Sequence, residues 1–309
     1  MRTGITTLVC VLAACGNVSS GKQSDAPLDS PQGDPPSNTT CDPTGMFDPP
    51  VPLTELDTAG TEYAPRLTAD EFEIYFAASA SGNASTFTIY RAQRSARSAS
   101  FGAPVALDAL HTAAGELDPC VSSDGLTLFF RTPIVTGEGV HLYVSTRASR
   151  IAEFNGLARI ANISSPTVAD NDIQPFVTAD GQELWFSSNR AGGQGSYDMY
   201  RATGNGAGFA NVAEARELNT TASEQVPVVS ADKLTVYFSS TRSGSQDYDL
   251  WTAHRSTTSD GFPQPVPVTE LNAKGTKFGG WLSADNCRFY FSSNAAGQHD
   301  LYVATRHPM

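Results

Sequence analysis

The sequence predicts an all-β protein, a five-bladed β-propeller of four-stranded antiparallel blades closed by its N-terminal strand, and three observations carry that prediction. One pattern recurs five times. It is clearest from Asp172 to Ala202, where Pro175 opens a short run, Asp180-Gly181 forms a tight turn, Leu184-Trp185-Phe186 is an unbroken apolar triplet and Met199-Tyr200 begins a third run. Its turn aspartates, Asp70, Asp124, Asp180, Asp232 and Asp285, stand 54, 56, 52 and 53 residues apart, a spacing typical of repeat arrays. The second observation is the triplet itself, which recurs as Ile74-Tyr75-Phe76, Leu128-Phe129-Phe130, Val236-Tyr237-Phe238 and Phe289-Tyr290-Phe291. A sheet with one wet face would alternate instead, so these strands are covered on both sides, as blades stacked around a channel are. The third is a phenylalanine-led stretch before each hairpin, at Phe47, Phe101, Phe154, Phe209 and Phe262, rich in proline beside Phe47, Phe101 and Phe262. Proline is tolerated at a sheet edge and excluded from a central ladder, so these stretches form the outermost strands.

Within each unit the Pro-led run and the apolar triplet flank the aspartate turn as a hairpin. A polar loop then leads to the third strand, and the phenylalanine-led stretch adds the fourth. The repeats fall at about 47–100, 101–153, 154–208, 209–261 and 262–309 within a propeller domain of 46–309. The last unit ends after its third strand, at Leu301-Tyr302-Val303, so the strand that begins at Phe47 is expected to complete it and remove two open edges.

Residues 1–15 hold Arg2 and then an apolar segment from Ile5 to Ala14, too short to span a bilayer and suited to an export signal. Residues 16–45 are dominated by Ser, Pro, Gly, Asp and Asn and read as a flexible tether. A net charge of −12 disfavours a nucleic-acid partner, because phosphate binding concentrates Lys and Arg on one face. The expected oligomeric state is a monomer.

Two resemblances add to this reading. Leu12-Ala13-Ala14-Cys15 resembles the lipobox of bacterial lipoproteins, which implies lipidation at Cys15 and a membrane anchor there; Gly16 in place of aspartate implies the outer membrane. The recurring E/D-x-x-P, S/T-x-D-G, aliphatic-aromatic-Phe-Ser-Ser and D-L-Y elements resemble the TolB-type, WD-like propeller repeat over residues 47–309. Blade 5 departs from it, with Lys277 and Gly280 where the others have an acid and a proline, and Glu71, Lys233 and Asn286 replace the turn glycine in blades 1, 4 and 5.

Three residues before each strand-opening proline stand Glu62, Glu116, Asp172 and Glu224, with Lys277 at the fifth place. On a propeller these form a ring where the innermost strands begin, and they are the candidate ligand-binding residues. Such a ring suits a cation or a positively charged ligand. Alternatively, each acid accepts backbone N–H bonds from a blade crossover, since a group needed once per blade is usually architectural. Asp57, His111, Asn219 and Asn272 are expected to cap the crossover turns, and Arg190 and Arg242 to pair with Asp198 and Asp249. The loops Gly82 to Thr86, Thr136 to Gly139 and Gly192 to Ser196 share the ring face and differ between blades, which is where specificity usually resides.

No H-E-x-x-H or G-x-S-x-G occurs, so no catalytic residue, metal ligand or cofactor is assigned. The expectation is a non-enzymatic binding or scaffolding lipoprotein of the bacterial cell envelope, presenting its ring face to a protein, peptide or glycan. The alternative is a propeller-fold glycan hydrolase. An exported chain can oxidise cysteines, and Cys287 lies just after the blade 5 turn, on the face where the N-terminal strand begins. A Cys41–Cys287 disulfide fastening the closure is therefore predicted, with Cys120 as a small buried hydrophobe.

Overall fold

The computed structural model describes residues 41–134, 137–167, 169–205, 208–242 and 247–307. The leader, Cys15 and most of the tether lie outside the described residues. Five four-stranded antiparallel sheets follow one another along the chain, and their secondary structure contains no α-helix among those residues.

Strand β1 (Val51–Pro52) belongs to the last blade. Blade 1 comprises β2 (Thr61–Leu67), β3 (Glu73–Ser79), β4 (Thr88–Gln93) and β5 (Val105–Ala106). Blade 2 comprises β6 (Leu117–Val121), β7 (Thr127–Thr132), β8 (His141–Thr146) and β9 (Asn155–Arg159). Blade 3 is built from β10 (Asp172–Val177), β11 (Glu183–Ser188), β12 (Asp198–Thr203) and β13 (Ala210–Glu214). Blade 4 has β14 (Glu224–Val229), β15 (Thr235–Ser240), β16 (Asp249–His254) and β17 (Val266–Pro267). Blade 5 has β18 (Lys277–Leu282), β19 (Arg288–Ser293) and β20 (Asp300–Thr305), and β1 pairs with β20 as its fourth strand. The three two-residue outer strands are β1, β5 and β17, and proline occupies the second position in two of them.

Each hairpin turn is held the same way. Asp180 Oδ1 accepts hydrogen bonds from the Thr178 hydroxyl and the Gln182 N–H, and Asp70, Asp124, Asp232 and Asp285 repeat the arrangement. The following residue takes a left-handed conformation, at Gly125 and Gly181 but also at Glu71, Lys233 and Asn286. Non-glycine residues adopt that region at a cost, and the repeated aspartate bonds offset it. The triplets are fully covered, with Tyr75, Phe76, Phe130, Phe186 and Phe238 all buried between blades.

The two chain ends meet in blade 5. Phe47 bridges Arg306 beyond the β1–β20 ladder, and a disulfide joins Cys41 to Cys287 with Cα atoms 5.8 Å apart. Cys120 is a buried free thiol. Where blade 5 abuts blade 1, a Cβ on Gly280 would fall 2.6 Å from the Pro65 ring. The proline found at that position in the other four blades does not fit here.

Candidate functional site

The repeated ring residues are interior. Glu62, Glu116, Asp172, Glu224 and Lys277 are buried, and the N–H of each donates to a carbonyl of the preceding blade, from His299, Phe87, Val140, Tyr197 and Tyr248 respectively. Their carboxylates gather the crossover turns: Glu62 accepts from the Thr58 N–H (3.0 Å), Glu116 from Thr112 (2.6 Å), Asp172 from Ser165 (2.9 Å) and Glu224 from Thr220 (2.8 Å). Lys277 reverses the polarity, its ammonium donating to the carbonyls of Lys274 and Gly275. Burial lowers its pKa, partly opposed by Asp249. The five residues join blade to blade, and none of them lines the channel cavity.

Arg190 and Arg242 serve that ring and correct the pairing expected for them. Arg190 binds Asp172 at 2.5 Å and Arg242 binds Glu224 at 3.3 Å. Each guanidinium also covers the aromatic rings of its own blade, Phe186 and Tyr200 in one case and Phe238 and Trp251 in the other. Asp198 instead accepts from the Gly195 N–H. Of the proposed crossover caps, Asn219 and Asn272 each bond both the N–H and the carbonyl of a third-strand residue, Met199 and Leu250. His111 faces Glu116 at 3.2 Å.

The surface offered at this mouth comes from the next two positions of every inner strand. Tyr63 and Ala64, Leu117 and Asp118, Ile173 and Gln174, Gln225 and Val226, and Phe278 and Gly279 line a cavity of about 290 Å³, with Gly82, Ala84 and Phe87 from the β3–β4 loop and Arg131 from β7. A bulge interrupts each inner ladder here. At it, Ala64, Asp118, Gln174 and Val226 have φ of 54 to 56°. For a β-branched residue such as Val226 that is a strained conformation, of the kind that persists where surrounding structure imposes it. The Val226 N–H is held by Gln174 Oε1 (3.1 Å) and Ser187 Oγ (3.2 Å).

Two kinds of side chain divide the mouth. An aromatic wall runs along blades 1 and 5: the Tyr63 ring lies 5.7 Å from Phe87, 6.0 Å from Phe278 and 4.5 Å from His299. Burial pushes His299 down to about 4, so its imidazole is neutral near pH 7. A polar belt crosses the other blades. Arg131 pairs with Asp118, whose Oδ2 also accepts from the Gln174 N–H. The Gln174 amide donates to Gln225 Oε1 (3.0 Å), and Gln225 donates onward to the Tyr248 hydroxyl (2.9 Å).

Below the cavity the channel is plugged. Arg66 is buried, and its guanidinium carbon lies 5.2 Å from the Phe176 ring centre. Blades 1 and 3 share no seam, so this contact crosses the channel. Burial lowers the Arg66 pKa, and its Nε and Nη1 have no partner among the described residues. Beyond it, Cys120, Phe176, Val177 and Trp281 line a second, smaller cavity of about 50 Å³ toward the turn face.

Of the loops assigned to the ring face from the sequence, Gly82 to Thr86 contributes to this lining, Gly192 to Ser196 does not, and Thr136 lies outside the described residues; the sequence reading did not identify the inner-strand lining residues. Their signal is subtle: they follow each ring residue directly and vary from blade to blade. It also missed Arg94, Arg147 and Arg255, each seven residues before the phenylalanine it covers, at 4.4 to 4.7 Å from the ring centres of Phe101, Phe154 and Phe262.

No protein-family model matches the chain, and no curated protein matches it. Among solved structures it is similar to the alpha-L-arabinofuranosidase of Lactobacillus brevis, with a TM-score of 0.58 and 13% identity over 84% of this chain and 94% of that one. A putative glycoside hydrolase from Parabacteroides distasonis ATCC 8503 gives a TM-score of 0.51 and 12% identity over 88% and 95%. TolB from Acinetobacter baumannii gives 0.48 and 17% over 82% of this chain, which spans 57% of that protein. At these identities the likeness to the first two is one of fold alone.

Proposed function

We propose that the protein is a binding module that takes a glycan at the aromatic and polar mouth of its channel. The observation that carries this reading is the wall of Tyr63, Phe87 and Phe278 facing the belt of Asp118, Gln174 and Gln225 across one cavity. Flat aromatic faces receive the apolar face of a sugar ring, while a few placed amides and charges bond its hydroxyls.

Binding is favoured over hydrolysis by the carboxylates. Glycoside cleavage generally needs a pair of them flanking the bond, roughly 5 to 10 Å apart. Asp118 is the one acid among the described lining residues, and Arg131 and the Gln174 N–H already engage it. The ring acids are buried and bonded to their crossovers.

In this reading the chain is exported and held at the bacterial envelope through a lipid on Cys15. The Cys41–Cys287 disulfide supports an oxidising compartment, and among the described residues no helix is long and apolar enough to cross a membrane. An array of envelope oligosaccharides and peptides tests the ligand class. Retention of an oligosaccharide, weakened at least about tenfold by Phe278→Ala, is expected; retention of peptides alone, or release of reducing ends from the bound glycan, would contradict the reading.

A further inference from the structure

Three carboxylates converge in the seam between blades 5 and 1. Asp57 comes from the crossover, Glu62 from the start of β2 and Asp300 from the start of β20, and one oxygen of each lies within 4.8 Å of the others. Elsewhere in the ring the corresponding acid is matched from within the protein. Asp172 has Arg190 and Ser188, Glu224 has Arg242 and Ser240, and Glu116 has His111.

Blade 1 lacks both matching groups. The register sets Ala78 opposite Glu62, where Ser188 and Ser240 stand opposite Asp172 and Glu224. Two residues further on, Ala80 occupies the place of Arg190 and Arg242. The seam has thus kept its acid and lost the hydroxyl and the guanidinium; Asp300 repeats Asp198 and Asp249 at the start of the third strand, and Asp57 adds a carboxylate where other crossovers carry His111, Asn219 and Asn272. Glu62 is fully buried; its Oε1 accepts from the N–H and hydroxyl of Thr58, but its Oε2 has no partner among the described residues. An uncompensated buried carboxylate is costly, and nothing in the repeat explains why this blade alone would carry one.

We infer that Asp57, Glu62 and Asp300 form a calcium site that takes the place of the arginine found in blades 3 and 4. The donors are all carboxylate oxygens, which suits a hard cation rather than zinc. Calcium binds oxygens at about 2.3–2.6 Å, so two of its ligands lie at most about 5 Å apart, in keeping with this cluster. Asp57 is exposed and Asp300 half-buried, which leaves room for water to complete the six to eight positions calcium takes; magnesium, with its strict octahedron, suits an irregular set less well. The ion would join β2 to β20, whose neighbouring residues Tyr63 and His299 form part of the aromatic wall.

The test is calorimetric titration of the purified chain, stripped with chelator, using calcium chloride as the probe, with thermal unfolding in parallel. One ion per chain and a raised unfolding midpoint are expected. Asp300→Asn should weaken the affinity at least about tenfold. Ala80→Arg, which supplies the missing guanidinium at an exposed position, should abolish the calcium response while leaving the protein folded. No heat and no midpoint shift at roughly millimolar calcium would overturn the proposal, as would a calcium response unchanged in both variants.

Discussion

The guanidinium of Arg306 stands 4.1 Å from the centre of the Phe47 ring, near the other end of the described chain. It repeats the stacking of Arg94 on Phe101, Arg147 on Phe154 and Arg255 on Phe262, with the difference that the two partners are separated by the whole propeller. Arg306 also donates to the Gly45 carbonyl and to the Tyr237 hydroxyl of blade 4. Phe47 packs against Tyr237 and Phe289. The closure is thus built by the same device as the outer strands of blades 1, 2 and 4. Phe47→Ala should cost about 3–5 kcal/mol, the usual range for a buried phenylalanine. Urea unfolding measures it, and a loss below about 1 kcal/mol would mean that the closure contributes little.

The disulfide fastens that closure over a sequence separation of 246 residues. Replacing Cys41 and Cys287 together by serine should destabilise the chain by about 2–5 kcal/mol, chiefly by freeing the unfolded state. Limited proteolysis should then cut first between Cys41 and Phe47. Unchanged stability and cleavage would remove the disulfide from this account.

Much of this architecture was legible in the sequence because it is local and repeated. The aspartate turns, the doubly buried triplets and the proline-marked edges each follow from short-range chemistry. The channel mouth was not, for a physical reason: the inner strands bulge at Ala64, Asp118, Gln174 and Val226, where non-glycine residues take a left-handed conformation that propensity does not suggest. That bulge puts Tyr63, Gln174, Gln225 and Phe278 on the cavity while the more conspicuous ring residues are buried. Arg190 and Arg242 were likewise misassigned, since sequence proximity favoured Asp198 and Asp249 whereas the β10–β11 and β14–β15 pairings bring Asp172 and Glu224 to them.

Arg66 is a buried cation in the channel, resting on Phe176 with two nitrogens that have no hydrogen-bond partner among the described residues. Replacing it by methionine, of similar length, should leave stability unchanged or raise it by about 1–4 kcal/mol, as for other buried charges exchanged for packed apolar groups. A loss greater than about 2 kcal/mol would show that those N–H groups are satisfied in solution.

Acid should weaken the turn face. Burial tends to raise the Asp180 pKa, but hydrogen bonds from Lys233, Thr178 and the Gln182 N–H outweigh it and bring the group down to about 2. Because the folded value lies below the unfolded one, its contribution is present above about pH 4 and lost as the pH falls toward 2. Asp70, Glu73 and Asp285 are shifted in the same direction. Urea midpoints should therefore drop between pH 4 and pH 2, and the drop should be shallower in Asp180→Asn; identical profiles would contradict this assignment.

Binding at the channel mouth is tested most directly by hydrogen-exchange footprinting of the chain with a glycan recovered from the array, alongside calorimetry of Phe278→Ala and Gln225→Ala. Protection confined to Tyr63, Phe87, Gln225 and Phe278 and their neighbours, with affinity lowered at least about tenfold in each variant, is the predicted result. Protection of the turns at Asp124 and Asp180 on the opposite face, with both variants binding as the parent does, would contradict it.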